Sequence, residues 1–332
     1  MRKRESSETT GPSRREIVLL GVGAFAVATV PFLKRGRRQL VRRSVPVMGT
    51  IADLVVVHRD EHYAQAAIDA AIQQLRYVDR TMTSYDEASD VGRANRDAAM
   101  QPVMVTNATA AVLEQSVRWA ESSNGAFDPC LGAAVNLWDV KNRSVPPDES
   151  QVRQLVSRDL YRSVDLDQYH GEPVVRLTDE SAMLDLGGIA KGYGVDRAVQ
   201  SLREWGIEDA LVNAGGDLYA MGESEDKDPW SIGVRSPFDP SKVTHKFDLT
   251  DEAVATSGDY LQNFKHAGAT YHHLLDPVTA SPRDTEVHSV TVAADNCMAA
   301  DAAATAVFGM NSDRAQQLLA NRGQGTKIVS LL

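Results

Sequence analysis

The sequence predicts a mixed α+β fold, built as one domain over residues 44–332. Segments with helical periodicity and β-branched apolar runs follow one another along this whole range. Neither an internal repeat nor a low-complexity linker interrupts them. Of the 332 residues, 43% are hydrophobic and 24% are charged, which is typical of a globular protein. A chain of this length can bury a large core, and we expect one compact domain with two subregions.

The first elements are predicted from residue 51 onward. IADLVVVH, from Ile51, is β-branched and apolar and predicts a strand. AQAAIDAAIQQLRYVDRTM, from Ala64, has apolar residues at helical spacing and predicts a helix. A second helix follows in TNATAAVLEQSVRWAESS, with Thr106 or Asn107 as its N-cap. A third begins near Pro147, with Asp148 ahead of QVRQLVS.

The second half of the chain predicts more strands than helices. PVVRLT and MLDL are interpreted as strands, followed by a helix from about Ala190 to Gly206. ALVNAGGDLYAMG predicts a strand that a glycine pair interrupts, and four more segments continue the β content: WSIGVRSP, KFDLTD, AVATSG and HSVTVAA. Two helices are expected at the end, one from Cys297 to about Gly309 and one in SDRAQQLLAN.

Residues 1–43 have the character of an N-terminal signal or membrane anchor rather than of the fold. They contain 11 Lys or Arg against 3 Asp or Glu, a charge of +8. Arg14 and Arg15 lie just before an apolar stretch, residues 17–33, which is short for a spanning helix. A twin arginine before such a stretch resembles a Tat export signal, and a plain membrane anchor is the alternative. We therefore expect export across the cytoplasmic membrane, with membrane association possible through residues 17–33.

The rest of the chain is acidic, with 24 Lys or Arg against 42 Asp or Glu, a charge of -18. Such a surface does not suit a polyanion, so nucleic-acid binding is not expected. Cys130 and Cys297 are the two cysteines of the chain. They define neither a disulfide framework nor a metal site, and we interpret them as small buried hydrophobic residues.

Two glycine clusters flank the helix predicted from Ala190. LDLGGIAKGYGVD, residues 184–196, combines a carboxylate, glycines and a lysine at a strand-to-helix turn, where backbone N–H groups favour anions. VNAGGD places Asn213, Gly215, Gly216 and Asp217 in a strand. For the first cluster, a tight turn without a ligand is the alternative; taken alone, the second is better explained as a β-bulge. Their position on both sides of one helix favours a shared phosphate-containing ligand.

Three other segments offer reactive side chains. Phe127-Asp128-Pro129 suits a flat ring or ribose hydroxyls, or else is a buried Phe beside an Asp-capped turn. In YHHLLDP, alternation lets only one of the two adjacent histidines face a site, where it could act as a general base. Asp301 and Thr305 share a helix face, and their oxygens suit Mg²⁺, although a cap or a surface charge is the alternative for Asp301.

Together these segments resemble the ApbE family, the FAD:protein FMN transferases. The resemblance covers nearly all of residues 44–332 and rests on DLGGIAKGY, VNAGGD, GAFDP, ATSGDY and HLLDP, with VMGT near the start and SYD at residues 84–86. It implies a T-fold-like single domain. It also implies Mg²⁺-dependent transfer of FMN from FAD to a Thr or Ser hydroxyl of an acceptor flavoprotein, with release of AMP.

The resemblance also implies residue roles. The Gly188 carbonyl, the Asp301 carboxylate and the Thr305 hydroxyl match the metal ligands, and His273 matches the catalytic base. The positions that match FAD contacts are Met48, Tyr85, Ala126, Phe127, Asp128, Asp185, Lys191 and Leu275. Two alternatives stay open: an FAD pyrophosphatase that uses water as the acceptor, and a non-catalytic flavin-binding protein.

Overall fold

The computed structural model describes residues 17–18, 24–28, 38–156, 159–239, 241–322 and 325–332. Its helices are α1 (Glu61–Met82), α2 (Asp90–Asp97), α3 (Asn107–Ser122), α4 (Gly132–Trp138), α5 (Glu149–Gln154), α6 (Ala190–Glu204), α7 (Cys297–Val307) and α8 (Ser312–Arg322). Its strands are β1 (Ile17–Val18), β2 (Phe25–Ala28), β3 (Gln39–Val47), β4 (Thr50–His58), β5 (Val103–Met104), β6 (Val164–Tyr169), β7 (Glu172–Leu177), β8 (Ala210–Ala214), β9 (Asp217–Met221), β10 (Trp230–Arg235), β11 (Val243–Leu249), β12 (Glu252–Gly258), β13 (Asn263–His266), β14 (Ala269–His272), β15 (Leu275–Asp276), β16 (Ser281–Pro282), β17 (Ser289–Ala294) and β18 (Lys327–Leu331).

A seven-stranded sheet forms the centre of the molecule, in the order β18-β17-β12-β9-β8-β4-β3. All of its neighbouring strands are antiparallel. Helices α1, α6 and α7 cover one face, where Leu54, Val212 and Ala255 belong to the main core. Alternate residues of the same strands, such as Val55 and Leu211, point to the opposite face. The mixed α+β class is thereby confirmed.

A smaller sheet, in the order β1-β2-β10-β11, covers that opposite face. Trp230 and Ile232 of β10 are buried there beside Val55 and Val57 of the central sheet. Phe25 of β2 is fully buried in the same cluster. The central sheet is therefore enclosed by helices on one side and by strands on the other.

The predicted signal or anchor lies mostly outside the described residues, and Arg14 and Arg15 are among those not described. Within it, β2 pairs with β10, and β3 begins at Gln39, so the boundary predicted after residue 43 falls inside a strand. No helix in the described part of the chain is long and apolar enough to cross a membrane.

Several helix ends follow directly from the sequence. Thr106 is the N-cap of α3 as predicted, because its hydroxyl accepts a hydrogen bond from the Thr109 N–H at 3.2 Å. Helix α6 begins at Ala190 as predicted. After the helix, Gly206 has a φ of +69°, and the Ile207 N–H donates a hydrogen bond to the Leu202 carbonyl at 3.0 Å. These two features form a Schellman motif, which ends the helix.

The strand predicted at MLDL was wrong. Only Met183 makes a β-bridge, to Leu131, and the following residues form no strand. The Asn95 side chain replaces the missing ladder: its amide donates to the Leu184 carbonyl at 2.9 Å and its oxygen accepts from the Leu184 N–H at 2.6 Å. The Asp185 N–H donates to Pro129. A side chain and a loop carbonyl therefore provide the hydrogen-bond partners of this backbone, which a neighbouring strand would otherwise provide.

The glycine pair of VNAGGD is a hairpin turn, not a bulge. It joins β8 to β9 with Gly215 at φ +65° and Gly216 at φ +108°, which favours glycine at both positions. Because the turn is this short, Asp217 starts β9 directly and points to the helical face of the sheet. Cys130 and Cys297 are free and buried, as interpreted from the sequence.

Candidate active site

A buried ion cluster lies where α6, α7 and β9 meet. The Lys191 ammonium, in the first turn of α6, lies 2.6 Å from the Asp217 carboxylate. It also lies 3.1 Å from both carboxylate oxygens of Asp301 in α7. The Gly192 N–H donates to Asp301 at 3.0 Å. The fold thus brings together three segments that are far apart in the sequence.

The charges of this cluster do not balance. Burial raises the pKa of Asp217, and the neighbouring Asp301 carboxylate raises it further, although Lys191 opposes both effects. Burial alone would lower the pKa of Lys191, but the two carboxylates outweigh burial and raise it. Two buried carboxylates therefore share one ammonium, and a second cation beside them would relieve the excess negative charge.

Gly188 and Thr305 lie directly against each other next to the cluster. A Cβ atom built on Gly188 would be 2.9 Å from Thr305 Cγ2 and 3.1 Å from its hydroxyl oxygen, and 3.3 Å from the Phe127 ring. Asp301 lies one turn before Thr305 on α7. The structure thus gathers the segments that carry the three predicted metal ligands.

The donor chemistry of this place fits a hard cation. Among the described residues, no group of three or more His, Cys, Asp or Glu side chains could hold a metal. An ion here would therefore need hydroxyl, carbonyl or water oxygens besides the Asp301 carboxylate. Mg²⁺ accepts such a set, because it binds few carboxylates and keeps waters or phosphate oxygens.

A cavity of about 190 Å³ opens beside the cluster. Of the predicted FAD-contact residues, Met48, Tyr85, Asp185 and Lys191 line it. Met48 belongs to the turn between β3 and β4, and Tyr85 follows α1 and is 75% exposed. The structure therefore brings these four residues to one place.

Asp185 is held at the wall of this cavity by its own turn. The Gly187 N–H donates to its carboxylate at 2.9 Å, and the Ser84 hydroxyl lies 3.4 Å from it. Loss of solvent around the carboxylate raises the pKa of Asp185, while these donors and the charge of Lys141 act in the opposite direction.

Lys141 is a cavity residue that the sequence analysis did not find. It lies in the exposed loop after α4, and its ammonium would be 3.0 Å from a Cβ atom built on Gly49. No ion pair of Lys141 occurs among the described residues, whereas Lys191 is bound to two carboxylates. No motif marks Lys141, because only the folding of its loop brings it to the cavity.

The two adjacent histidines differ in their surroundings. His272 is buried, with Nε2 at 3.0 Å from the Arg283 carbonyl and Nδ1 accepting from the Leu274 N–H. His273 is half-buried, and its Nδ1 lies 3.3 Å from the Gln262 carbonyl. A proton on Nδ1 makes that contact a hydrogen bond and leaves the Nε2 lone pair free. Desolvation lowers the pKa of His273 to about 4, so the imidazole is neutral at neutral pH.

The remaining predicted FAD contacts do not line the cavity. Phe127 contacts Gly188, and Leu275 packs in a separate cluster with Trp138. The Ala126 carbonyl accepts a hydrogen bond from Arg283. The Asp128 carboxylate accepts from the Cys130 N–H at 2.8 Å within its own turn, and burial raises its pKa to about 6. The FAD contacts of these four residues stay predictions.

Comparison with known proteins gives a consistent result. The model of the ApbE family matches residues 48–329. An FAD:protein FMN transferase of Treponema pallidum is 32% identical over 316 residues, which are 91% of this chain and 85% of the relative. One of Vibrio cholerae is 32% identical over 283 residues, 82% of each chain.

Solved structures agree with this result. The ApbE protein of Thermotoga maritima superposes with a TM-score of 0.78 at 31% identity, covering 88% of this chain and 94% of the other. The flavin transferase ApbE of Vibrio cholerae has a TM-score of 0.75 at 28% identity, covering 89% and 97%.

Fold, site and relatives together define an enzyme of flavin transfer. The chain belongs to the ApbE family, as its motifs predicted.

Proposed function

We propose that this enzyme transfers FMN from FAD to a Thr or Ser hydroxyl of an acceptor flavoprotein, releases AMP and depends on Mg²⁺. The curated relatives are named FAD:protein FMN transferases, which supports FAD as the substrate. The observation that carries the proposal is the buried cluster of Lys191, Asp217 and Asp301. It lies next to Gly188 and Thr305, and Lys191 itself lines the cavity.

The Gly188 carbonyl, the Asp301 carboxylate and the Thr305 hydroxyl would hold the Mg²⁺ ion. When bound, the ion supplies positive charge against the diphosphate of FAD and against the charge that develops on the leaving AMP. Lys191 contacts both oxygens of the Asp301 carboxylate, and the Gly192 N–H restricts its orientation further. The protein groups that orient a metal ligand tune the site as well.

The reaction itself needs a base and a positioned phosphate. The hydroxyl oxygen of the acceptor forms a bond to the phosphorus of the FMN half, and the bond from that phosphorus to the oxygen of AMP breaks. His273 takes the hydroxyl proton on Nε2, which the Nδ1 contact to Gln262 leaves free. The neutral imidazole supports this role, because a protonated one could not accept.

Mass spectrometry of the acceptor tests this proposal. The full chain is incubated with FAD, Mg²⁺ and an acceptor domain carrying a DGxSGAT-type sequence, and the expected product is a covalent FMN adduct with one AMP released per adduct. FMN and AMP formed without an adduct would establish the FAD pyrophosphatase instead. FAD retained without turnover would establish a flavin-binding protein.

We further propose that the enzyme works on the outer side of the cytoplasmic membrane, exported or held there by residues 1–43. The twin Arg14-Arg15 before the apolar residues 17–33 supports this location. Cell fractionation of wild type and R14K/R15K tests it. The double variant is expected to accumulate in the cytoplasm, and an unchanged distribution would contradict a twin-arginine signal.

A further inference from the structure

The side chain of Arg283 joins three segments that carry predicted site residues. Nη2 donates to the Ala126 carbonyl at 2.5 Å, just before Phe127. Nε donates to the Leu275 carbonyl at 3.3 Å. Nη1 donates to the Phe308 carbonyl and lies 3.5 Å from the carbonyl of Ala306, at the C-terminal end of α7. One guanidinium thus contacts the GAFDP segment, the HLLDP segment and the helix that carries Thr305.

The backbone of Arg283 holds the same histidine segment. Its N–H donates to the Leu274 carbonyl at 3.0 Å, and its carbonyl lies 3.0 Å from His272 Nε2. Together with the Nε bond to Leu275, these contacts fix the residues on both sides of His273. Among the described residues, Arg283 makes no hydrogen bond to His273 itself, whose Nδ1 lies near the Gln262 carbonyl instead.

The guanidinium keeps its charge in this position. Desolvation lowers the pKa of Arg283 to about 10, and the nearby Asp276 opposes that shift. In the described part of the chain no carboxylate lies within ion-pair distance of it; its partners are carbonyl oxygens. Two of them belong to the end of α7, where a cation also interacts favourably with the helix dipole. The planar guanidinium has five N–H donors in a fixed geometry, whereas the lysine ammonium has three on a flexible stem, so arginine holds several carbonyls in one defined arrangement.

We propose that Arg283 is a positioning residue of the transferase, which sets the placement of His273 relative to Thr305 and to the Phe127 segment. The inference rests on the proposed function. Displacing reacting groups by about 1 Å can cost about a hundredfold in rate, so three bonds to three site segments can control turnover without any contact to substrate.

R283M and R283K test this inference in the full chain, with R322M as the matched control. Arg322 is also half-buried and lies 4.9 Å from the Trp119 ring centroid, but it contacts no predicted site residue. For R283M we expect kcat at saturating FAD and Mg²⁺ to fall about tenfold or more, and the FAD dissociation constant to rise only about threefold. R283K should recover part of kcat, and R322M should lower the melting temperature with kcat unchanged.

Three outcomes would contradict the positioning role of Arg283 or the function on which it rests. A kcat within about twofold of wild type in both Arg283 variants, with only the melting temperature lowered, would make Arg283 merely structural. If R283M does not fold, R283K alone decides by the same criterion. FAD affinity from flavin fluorescence is recorded for every variant. A wild type that binds FAD without transferring FMN would contradict the proposed function and the inference that rests on it. A wild type that transfers FMN, with kcat unchanged in both Arg283 variants, would overturn the inference alone.

Discussion

Asp217 and Asp301 share the Lys191 ammonium, and this sharing predicts different effects for the two acids. Asp301→Ala removes a proposed metal ligand, so we expect Mg²⁺-dependent flavinylation to be abolished. Asp217→Asn leaves the ligand in place, but Lys191 then pairs with Asp301 alone. Because that pairing competes with the metal for Asp301, we expect the half-saturating Mg²⁺ concentration to rise about tenfold, as for other residues that support metal ligands. Mg²⁺ titration of FMN transfer measures both. Unchanged activity of Asp301→Ala would remove the metal assignment.

The pKa of His273 predicts the pH dependence of the transfer step. An imidazole is a base only above its pKa, and desolvation lowers that of His273 to about 4. We therefore expect kcat at saturating Mg²⁺ to stay constant as the pH falls through about 6.5, the ordinary histidine pKa. It should fall only near pH 4, where His273 becomes protonated and can no longer accept a proton.

Substitution of the same residue separates catalysis from binding. His273→Ala should lower kcat by about a hundredfold or more while the FAD dissociation constant stays unchanged. His62→Ala, on the exposed first turn of α1, is the control and should change neither quantity. Loss of FAD binding in His273→Ala would make His273 a binding residue.

Lys141 is predicted to contribute to FAD affinity. Its ammonium reaches the cavity, so it can attract a phosphate group of the dinucleotide. Exposed ion pairs contribute at most about 1 kcal/mol, so Lys141→Ala should raise the KM for FAD about two- to fivefold, with kcat unchanged. Lys141→Arg should keep the KM. Arg143→Ala, in the same loop but outside the cavity, is the control, and an equal effect there would point to general attraction by the loop.

Some residues at the candidate site could be predicted from the sequence, and others could not. Gly188 and Lys191 were predicted from the DLGGIAKGY motif, and Asp301 and Thr305 from their spacing on one helix face. The fold brings these residues together, and their roles stay predictions. The role of Asp217 was missed although VNAGGD contains it, since the pattern does not reveal that a two-residue turn aims this carboxylate at Lys191. Contacts such as those of Lys141 and Arg283 depend on loops that approach only in the folded chain, and no local pattern encodes them.

At the scale of elements, the glycines of AKGYG explain how α6 approaches α7. A Cβ atom on Gly192 would be 2.3 Å from the Cys297 carbonyl oxygen and 2.8 Å from the Met298 Cα, both backbone atoms. Gly192→Ala must therefore push the two helices apart. We expect the free energy of unfolding to fall by about 1–3 kcal/mol, measured by urea denaturation, and FMN transfer to fall with it because Lys191 and Asp301 separate.

Gly194→Ala on the same helix is the matched control. A Cβ atom there would be 3.0 Å from the sulfur of Met48, a flexible side chain that can move. We expect its loss of stability to be clearly smaller than that of Gly192→Ala. Equal losses would show that helix propensity or general crowding, and not the backbone approach of α6 to α7, decides the effect.

Elements with a strong local pattern were predictable, and elements held by distant partners were not. The periodicity of α1 and the cap of α3 were sufficient for a prediction. Helix α2 was missed because its sequence DVGRANRD has only two buried apolar side chains and is defined by the Ser89 cap. MLDL has a strand pattern, but Asn95 takes the bonds that a neighbouring strand would otherwise make.

At the scale of the whole molecule, the central sheet needs a cover on the face opposite the helices. The small sheet of β10 and β11 supplies it, and β2 extends this sheet along the free edge of β10. An uncovered strand edge beside buried apolar residues favours pairing with other chains. The segment that was interpreted from the sequence as leader or anchor therefore also contacts the fold, through residues 24–28.

Residues 25–28 belong both to the predicted leader or anchor and to the small sheet. We therefore expect a substitution in β2, far from the cavity, to lower the stability of the fold. Phe25 is fully buried beside Trp230, so Phe25→Ala should lower the free energy of unfolding by about 3 kcal/mol or more, as for other buried phenylalanines. The control is Phe238→Ala, since Phe238 is 74% exposed and its loss should cost less than about 0.5 kcal/mol. Urea midpoints of the purified full chain measure both. Equal midpoints for Phe25→Ala and wild type would mean that β2 does not contribute to folding, which leaves residues 17–33 free to serve in export or in membrane attachment alone.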